Sequence, residues 1–234
     1  MIKTKAIVLS RRDCNDYDSL ISCYSLDFGK ICLLAKGLKR PKAKLVGHLE
    51  PLNIIDLMII KGRERDYIGS AISEDSFLNI KRNYYLIDIA GRGINFLNGL
   101  IFQNQADYNI FLILKDFLTE LNNLKDEDRE AEIYLIFFQL KLLDILGYDF
   151  DFSHCSVCNK ESIYFNFFDK EVLCQDCLKT KNVSMTKIMK IDGSIINFKK
   201  EILQSNFKDL KKMTVKDGDL KKMNELIEII RKII

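Results

Sequence analysis

The sequence has no apolar run long enough to cross a bilayer. A span needs about 18 uninterrupted apolar residues, and the best candidate, Ile54 to Ile60, is cut by Asp56. Near the start, only Ala6 to Leu9 precede Arg11 and Arg12, too short a run for the core of a secretory signal. A cytoplasmic protein with no membrane partner is expected. There is no repeat at solenoid periods and no low-complexity tract, which excludes arrays and collagen-like fibres. The phosphate-cradling P-loop, the nucleophile elbow and the HExxH helix are also missing. With them go common routes to nucleotide hydrolysis, acyl transfer and metalloproteolysis, so no enzyme and no small-molecule substrate is expected. Asp13, Asp16 and Asp18 are the nearest approach to a Mg²⁺-binding carboxylate cluster. Their position at the edge of a β-rich run reads instead as the start of a strand and the cap of a turn.

What is present is globular. The 234 residues are 47% hydrophobic and 29% charged, too apolar for an intrinsically disordered chain. A net charge of +3 hides a segregation: residues 1–82 carry 15 basic and 10 acidic side chains, residues 83–178 carry 7 and 16, and residues 179–234 carry 14 and 7. Basic ends around an acidic middle suit a polyanion-binding surface confined to part of the molecule.

Periodicity divides the chain. Ala6 to Arg12, Ser19 to Leu26, Lys30 to Leu38, Leu52 to Lys61 and Asp66 to Ser73 are short, rich in Ile, Val, Leu and Tyr, and separated by turn residues such as Gly29, Gly37, Gly47, Pro51 and Gly62. Five strands predict a small barrel over residues 1–80; strand count alone fits an OB or an SH3-like barrel. Beyond residue 82 apolar residues recur at helical spacing, predicting three helices in a domain over 81–150. Asp107 and Asp128 stand where the second and third would be capped, and Gly147 where the third would end. Lys125 to Glu130 reads as the solvated loop between them. A cysteine-bounded insert occupies 151–180. The C-terminal part, 181–234, shows helical spacing over Met185 to Phe207 and Leu220 to Ile234, predicting helices that pack on the helical domain.

Four of the seven cysteines form two CxxC pairs, Cys155/Cys158 and Cys174/Cys177, separated by 15 residues. That spacing suits a four-thiolate zinc site. The intervening Ile163 to Leu173, rich in aromatic and branched residues, predicts a hairpin that returns the second pair to the first. Four protein ligands leave no open position for an activated water, so one structural Zn²⁺ per chain is expected; an iron–sulfur cluster is the other thiolate option. Cys14, Cys23 and Cys32 read as small core residues, His48 as a structural polar residue, and His154 as a dispensable neighbour of the first pair.

Between Phe28 and Leu49 lie six basic residues and no acidic one: Lys30, Lys36, Lys39, Arg40, Lys42 and Lys44. Gly37 and Pro41 make the centre of this stretch a loop between strands. On an OB-like barrel, cationic loops and the adjoining strand face carry single-stranded nucleic acid by phosphate contacts and base stacking. Tyr17, Tyr24 and Tyr67 are candidate stacking faces.

The stretch Lys36-Gly37-Leu38-Lys39-Arg40-Pro41-Lys42-Ala43-Lys44-Leu45-Val46-Gly47-His48-Leu49-Glu50-Pro51 resembles the signature of the RecO family of bacterial recombination and repair proteins. Ala6-Ile7-Val8-Leu9, Asp16-Tyr17-Asp18, Phe28-Gly29-Lys30 and Leu142-Leu143-Asp144-Ile145-Leu146-Gly147-Tyr148, followed by the first cysteine pair, fit the same pattern in the same order. The resemblance implies an α+β multidomain protein: an N-terminal OB-fold β-barrel, then an α-helical domain carrying a four-cysteine zinc module. It further implies a non-enzymatic mediator that binds single- and double-stranded DNA and anneals complementary strands. With RecR and the single-strand-binding protein it would promote RecA loading, in the cytoplasm and associated with the nucleoid when on DNA. DNA contact then falls to Lys36, Lys39, Arg40, Lys42 and Lys44, with Lys30 an addition, and metal binding to the four cysteines. Since some family members lack those cysteines, the metal is architectural. The alternative is a protein adaptor with little DNA binding, whose Lys199, Lys200, Lys208, Lys211 and Lys212 receive the acidic tail of the single-strand-binding protein.

Overall fold

A computed structural model describes residues 1–124, 128–148, 150–161, 163–181, 183–184, 187–211, 213 and 215–234. The chain forms two compact units, residues 1–126 and 127–234. Of the loop expected over Lys125 to Glu130, residues 125–127 lie outside the described residues and Asp128 to Glu130 are helical instead; Met185 and Lys212 also lie outside the described residues. Among those described, no helix is long and apolar enough to cross a membrane.

The first unit starts with β1 (Ile2–Asp13), β2 (Ser19–Ser25), β3 (Gly29–Ala35), β4 (Ile54–Ile60) and β5 (Tyr67–Asp75). Their side chains alternate between core and surface, the period of two of a pleated strand. In β3, Ile31, Leu33 and Ala35 are buried while Cys32 between them is exposed. Inward residues from all five strands, Val8, Ile21, Leu33, Leu57 and Ile68 among them, meet in one apolar cluster. The strands close into a barrel in the order β1-β2-β3-β5-β4. The long β1 pairs antiparallel with both β2 and β4, and β3 meets β5 in parallel at Leu34 and Tyr67. This is the OB arrangement, and it decides between the two barrels that strand count left open.

Helices α1 (Leu78–Arg82), α2 (Tyr84–Leu100) and α3 (Tyr108–Asn122) belong to the same unit. The Asn83 side chain accepts the Tyr85 and Leu86 N–H groups to cap α2, and Asp107 accepts that of Asn109 to cap α3, as its position in the sequence predicts. Two contacts fix this cap against the barrel. Tyr24 is fully buried, and its hydroxyl accepts the Asp107 N–H at 3.1 Å and donates to the Asp107 carbonyl at 3.3 Å. Gly29, at φ +65°, lies so close to the preceding segment that a Cβ would sit 1.9 Å from the Gln105 carbonyl oxygen. Only glycine permits that approach.

The second unit is built on α4 (Asp128–Ile145). Tyr134, Leu135, Ile136, Phe138 and Leu142 are all buried, so this helix is covered on every side rather than along one stripe. The residues after it continue as β6 (Tyr164–Asn166), β7 (Glu171–Leu173), α5 (Gln175–Lys181), β8 (Ile188–Lys190), α6 (Gly193–Gln204), α7 (Phe207–Leu210) and α8 (Asp217–Ile233). Helices α6, α7 and α8 pack on α4, with Phe207 edge-on to Tyr134 and Phe137. Gly147, at φ +78°, follows α4 in the left-handed conformation that ends helices. One expectation is corrected here: the helix expected over Met185 to Phe207 is interrupted. Ile188–Lys190 pairs antiparallel with β6 instead, extending the small sheet in the order β7-β6-β8. A three-residue stretch such as Ile188-Met189-Lys190 is too short for periodicity to assign, and the neighbouring strand decides it.

Candidate nucleic-acid interface and metal centre

The cationic loop between β3 and β4 is a packed structure. Its Leu38 and Leu49 are buried in the barrel cluster, and Leu45 and Val46 pack against it. Alternating with these anchors, Lys36, Lys39, Arg40, Lys42 and Lys44 are exposed. The sequence thus holds five cations outward by driving four apolar side chains inward, which limits the entropy lost when a polyanion binds.

A second loop, residues 14–18 between β1 and β2, zips onto it. The Lys39 N–H donates to the Tyr17 carbonyl at 2.9 Å, while Lys39 Nζ lies 3.0 Å from Asp13 Oδ2 and donates to the Asn15 carbonyl at 3.3 Å. Asp18 Oδ1 accepts the Gly37 N–H at 2.7 Å. The Gly37 amide holds the Asp18 carboxyl below its ordinary range, and the Lys39 ammonium does the same to Asp13. Within the same turn, Asn15 Oδ1 accepts the Tyr17 and Asp18 N–H groups. Asp13 and Asp18 are therefore loop fasteners, in keeping with their reading as turn residues. Arg40 lies over the Tyr17 ring at 5.3 Å and Lys36 over the Tyr67 ring at 4.1 Å. Lys42 and Lys44 have no ion pair or hydrogen bond among the described residues.

The structure places Lys30 against the fold, and it changes the readings of Tyr24 and of two barrel cysteines. Lys30 is half-buried and its ammonium donates to the Asn98 carbonyl at 3.3 Å, tying β3 to α2. Tyr24 is buried against the start of α3 and offers no stacking face. Of the barrel cysteines, Cys23 lies in the core, but Cys14 and Cys32 are exposed. His48 is structural as expected, its Nδ1 accepting the Ser73 N–H at 3.1 Å. Sequence reasoning missed Arg12, an exposed cation paired in register with Leu20 beside the β2–β3 face. Strict alternation from the inward Ala6 and Val8 would turn Arg12 inward; a bulge between Val8 and Ser10 shifts the register and turns it out, and no local signal in the sequence marks that bulge.

In the second unit, β6 and β7 form the hairpin expected between the two cysteine pairs, with Tyr164 opposite Leu173 and Asn166 opposite Glu171. The first pair is held by a tight turn, the Cys155 N–H donating to the Lys160 carbonyl at 2.7 Å and the Ser156 N–H to the Val172 carbonyl at 2.8 Å. The second pair opens α5. All four Sγ atoms lie within 4.8 Å of one another, and those of Cys158 and Cys174 are 3.6 Å apart. Thiolates bound at about 2.3 Å to one tetrahedral ion stand about 3.8 Å from each other, so the set fits a single metal ion. Burial pushes the Cys155 thiol up, but the Cys158, Cys174 and Val157 amides outweigh it and bring the group to about 6. Cys177 is pushed up to about 12 by sharing its proton with the Cys158 and Cys174 sulfurs. A cation takes the place of such shared protons. His154 is exposed and pairs with Asp151 at 3.4 Å, outside the sulfur set.

Two family models match the chain, and they meet at the end of the barrel rather than at the boundary between the two compact units. A family model described as Recombination protein O N terminal matches residues 1–77, and one described as Recombination protein O C terminal matches residues 85–232. Among similar curated proteins, the DNA repair protein RecO of Clostridium novyi is 28% identical over 183 residues, covering 77% of this chain and 70% of that protein. That of Acetivibrio thermocellus is 27% identical over 228 residues, covering 96% and 88%. That of Dehalococcoides mccartyi strain CBDB1 is 30% identical over 183 residues, covering 76% and 71%.

Proposed function

The chain belongs to the recombination protein O family, and from that premise we propose that it is a DNA repair protein that binds single- and double-stranded DNA through the loop at residues 36–44. It anneals complementary strands and, with RecR and the single-strand-binding protein, promotes RecA loading. It acts in the cytoplasm, at the nucleoid when on DNA, and makes or breaks no bond. The observation that carries this reading is the set of five outward cations on a loop anchored by Leu38 and Leu49 in the barrel core. Each cation offsets a phosphate, so two strands that repel one another are held together while their bases remain free to pair. Neutralising five phosphates of a single strand gives a fall of about 3 to 4 decades in affinity per decade of salt.

Zn²⁺ is the ion this sulfur set favours, one per chain; the thiolates hold it and it fixes the hairpin, with no open position for chemistry. A 280 Å³ cavity lined by Phe150, Phe152, Ile196 and Leu203, with Lys199 and Lys200 at its side, supports the second reading, in which an acidic peptide with an apolar end docks on the second unit. The two roles coexist on different units.

Lys42 and Lys44 give the cleanest test because they hold no fold contact among the described residues. Lys42→Glu/Lys44→Glu should lower affinity for every DNA sequence about tenfold or more at low salt, slow annealing, and reduce the salt slope by about 1 to 2. Unchanged affinity and slope in the folded variant would overturn the assignment of the loop.

A further inference from the structure

On the outside of the barrel a row of residues crosses four strands in register. Arg12 of β1 faces Leu20 of β2, Leu20 faces Leu34 of β3, and Leu34 meets Tyr67 of β5. Their chain neighbours Ile21, Leu33 and Ile68 are buried in the core, so the row itself faces outward. At one end of it Lys36 stands over the Tyr67 ring at 4.1 Å, and on the adjoining loop Arg40 stands over the Tyr17 ring at 5.3 Å. Tyr17 is 58% exposed although Arg40 covers it from one side. A cation on one face of a ring holds it in place and leaves the opposite face for another partner.

We propose that Tyr17 and Tyr67 are base-stacking platforms for single-stranded DNA, each with its own cation, Arg40 or Lys36, to take the neighbouring phosphate. The inference rests on the DNA-binding reading above and deepens it by assigning a preference. The lysine loop, acting on phosphates, serves duplex and single strand alike. Bases inside a duplex are already stacked on one another and cannot reach a protein ring, whereas the bases of a single strand are free to do so. The apolar Leu20 and Leu34, lying between Arg12 and Tyr67, give the strand a floor on which water is poorly held. Two gripped bases fix the strand, and the rest of it remains available to a complementary partner. Tyr24 is excluded from the platform by its burial, which leaves two rings, both paired with a cation.

The test measures equilibrium binding of the full chain at low salt to three ligands: a thymidine oligonucleotide, an abasic oligonucleotide of the same length, and a duplex. Wild-type protein should bind the base-bearing strand about tenfold or more tighter than the abasic one. Tyr17→Leu/Tyr67→Leu should erase that difference, Tyr17→Phe/Tyr67→Phe should keep it, and duplex affinity should stay within about twofold in both variants. The chain has no tryptophan, so tyrosine emission reports the contact directly and should be quenched by the base-bearing strand and not by the abasic one. Equal wild-type affinity for the two single strands, or an undiminished preference in the leucine variant, would overturn the stacking proposal and leave phosphate binding standing. Failure of the wild-type protein to bind any of the three would overturn the DNA-binding reading and this proposal with it.

Discussion

The barrel and the cysteine module are both short strands folded back on themselves, and they are held shut by different materials. The barrel gathers 14 buried residues into one apolar cluster. Among the described residues, the cluster around the sulfurs of the module has four buried members, Cys155, Leu173, Cys174 and Leu178, and two of these are candidate metal ligands. Phe165 and Val172 of the hairpin are buried as well, but at about 1.5 to 3 kcal/mol for each buried apolar side chain these and the two leucines do not offset the backbone entropy of ordering the module. A structural zinc ion supplies that difference in small metal-bound folds, where its apparent binding energy is about 10 to 16 kcal/mol. On the proposed reading, a metal ion held by the four cysteines would make the module an architectural part.

The largest effect that tests this contrast is metal removal. Stripping the ion from the full chain should abolish amide-exchange protection over residues 155–178 while β1 to β5 stay protected. Loss of protection in both units together would break the comparison. Next is Gly29→Ala, which forces a Cβ into the Gln105 carbonyl from a left-handed backbone position. It should cost about 2 to 4 kcal/mol by denaturant unfolding of the barrel signal and leave metal content unchanged. The smallest is Asp192→Ala. Asp192 caps α6 through the Ile195 N–H at 3.3 Å and pairs with Lys222 of α8. Its loss should cost about 1 kcal/mol in the second unit and leave DNA affinity unchanged. Lys222 holds the Asp192 carboxyl down at about 2, against an ordinary value of 3.8. A lowered folded value contributes stability that is present above pH 4 and lost as the pH falls toward 2, so the Tm gap between wild type and variant should close over that interval.

Where the sequence was legible, a local pattern decided the structure. The five strands follow from apolar runs between turn residues, Asp107 caps α3 where a capping side chain precedes a periodic run, and the cysteine spacing brings four sulfurs together. Where it was not, a distant partner decided. Cys32 is no different from Cys23 until β2 and β3 set their faces, and then one lies outside and the other in the core. Tyr24 reads as a surface aromatic until α3 lays the Asp107 backbone across it. Ile188–Lys190 becomes a strand because β6 offers an edge. The cations of the loop were visible as a run without acids, but not their sorting. Lys30 is drawn to Asn98 and Lys39 to Asp13, while Lys42 and Lys44 stay unengaged among the described residues.

On the proposed function the barrel binds DNA, and the metal module supports the fold without touching that activity. The most direct test is single-strand DNA affinity of the full chain over a salt series, before and after its metal is removed and quantified. The stripped protein should keep the same salt slope and an affinity within about twofold, with the barrel still protected. Loss of binding together with the metal, while the barrel remains folded, would contradict it.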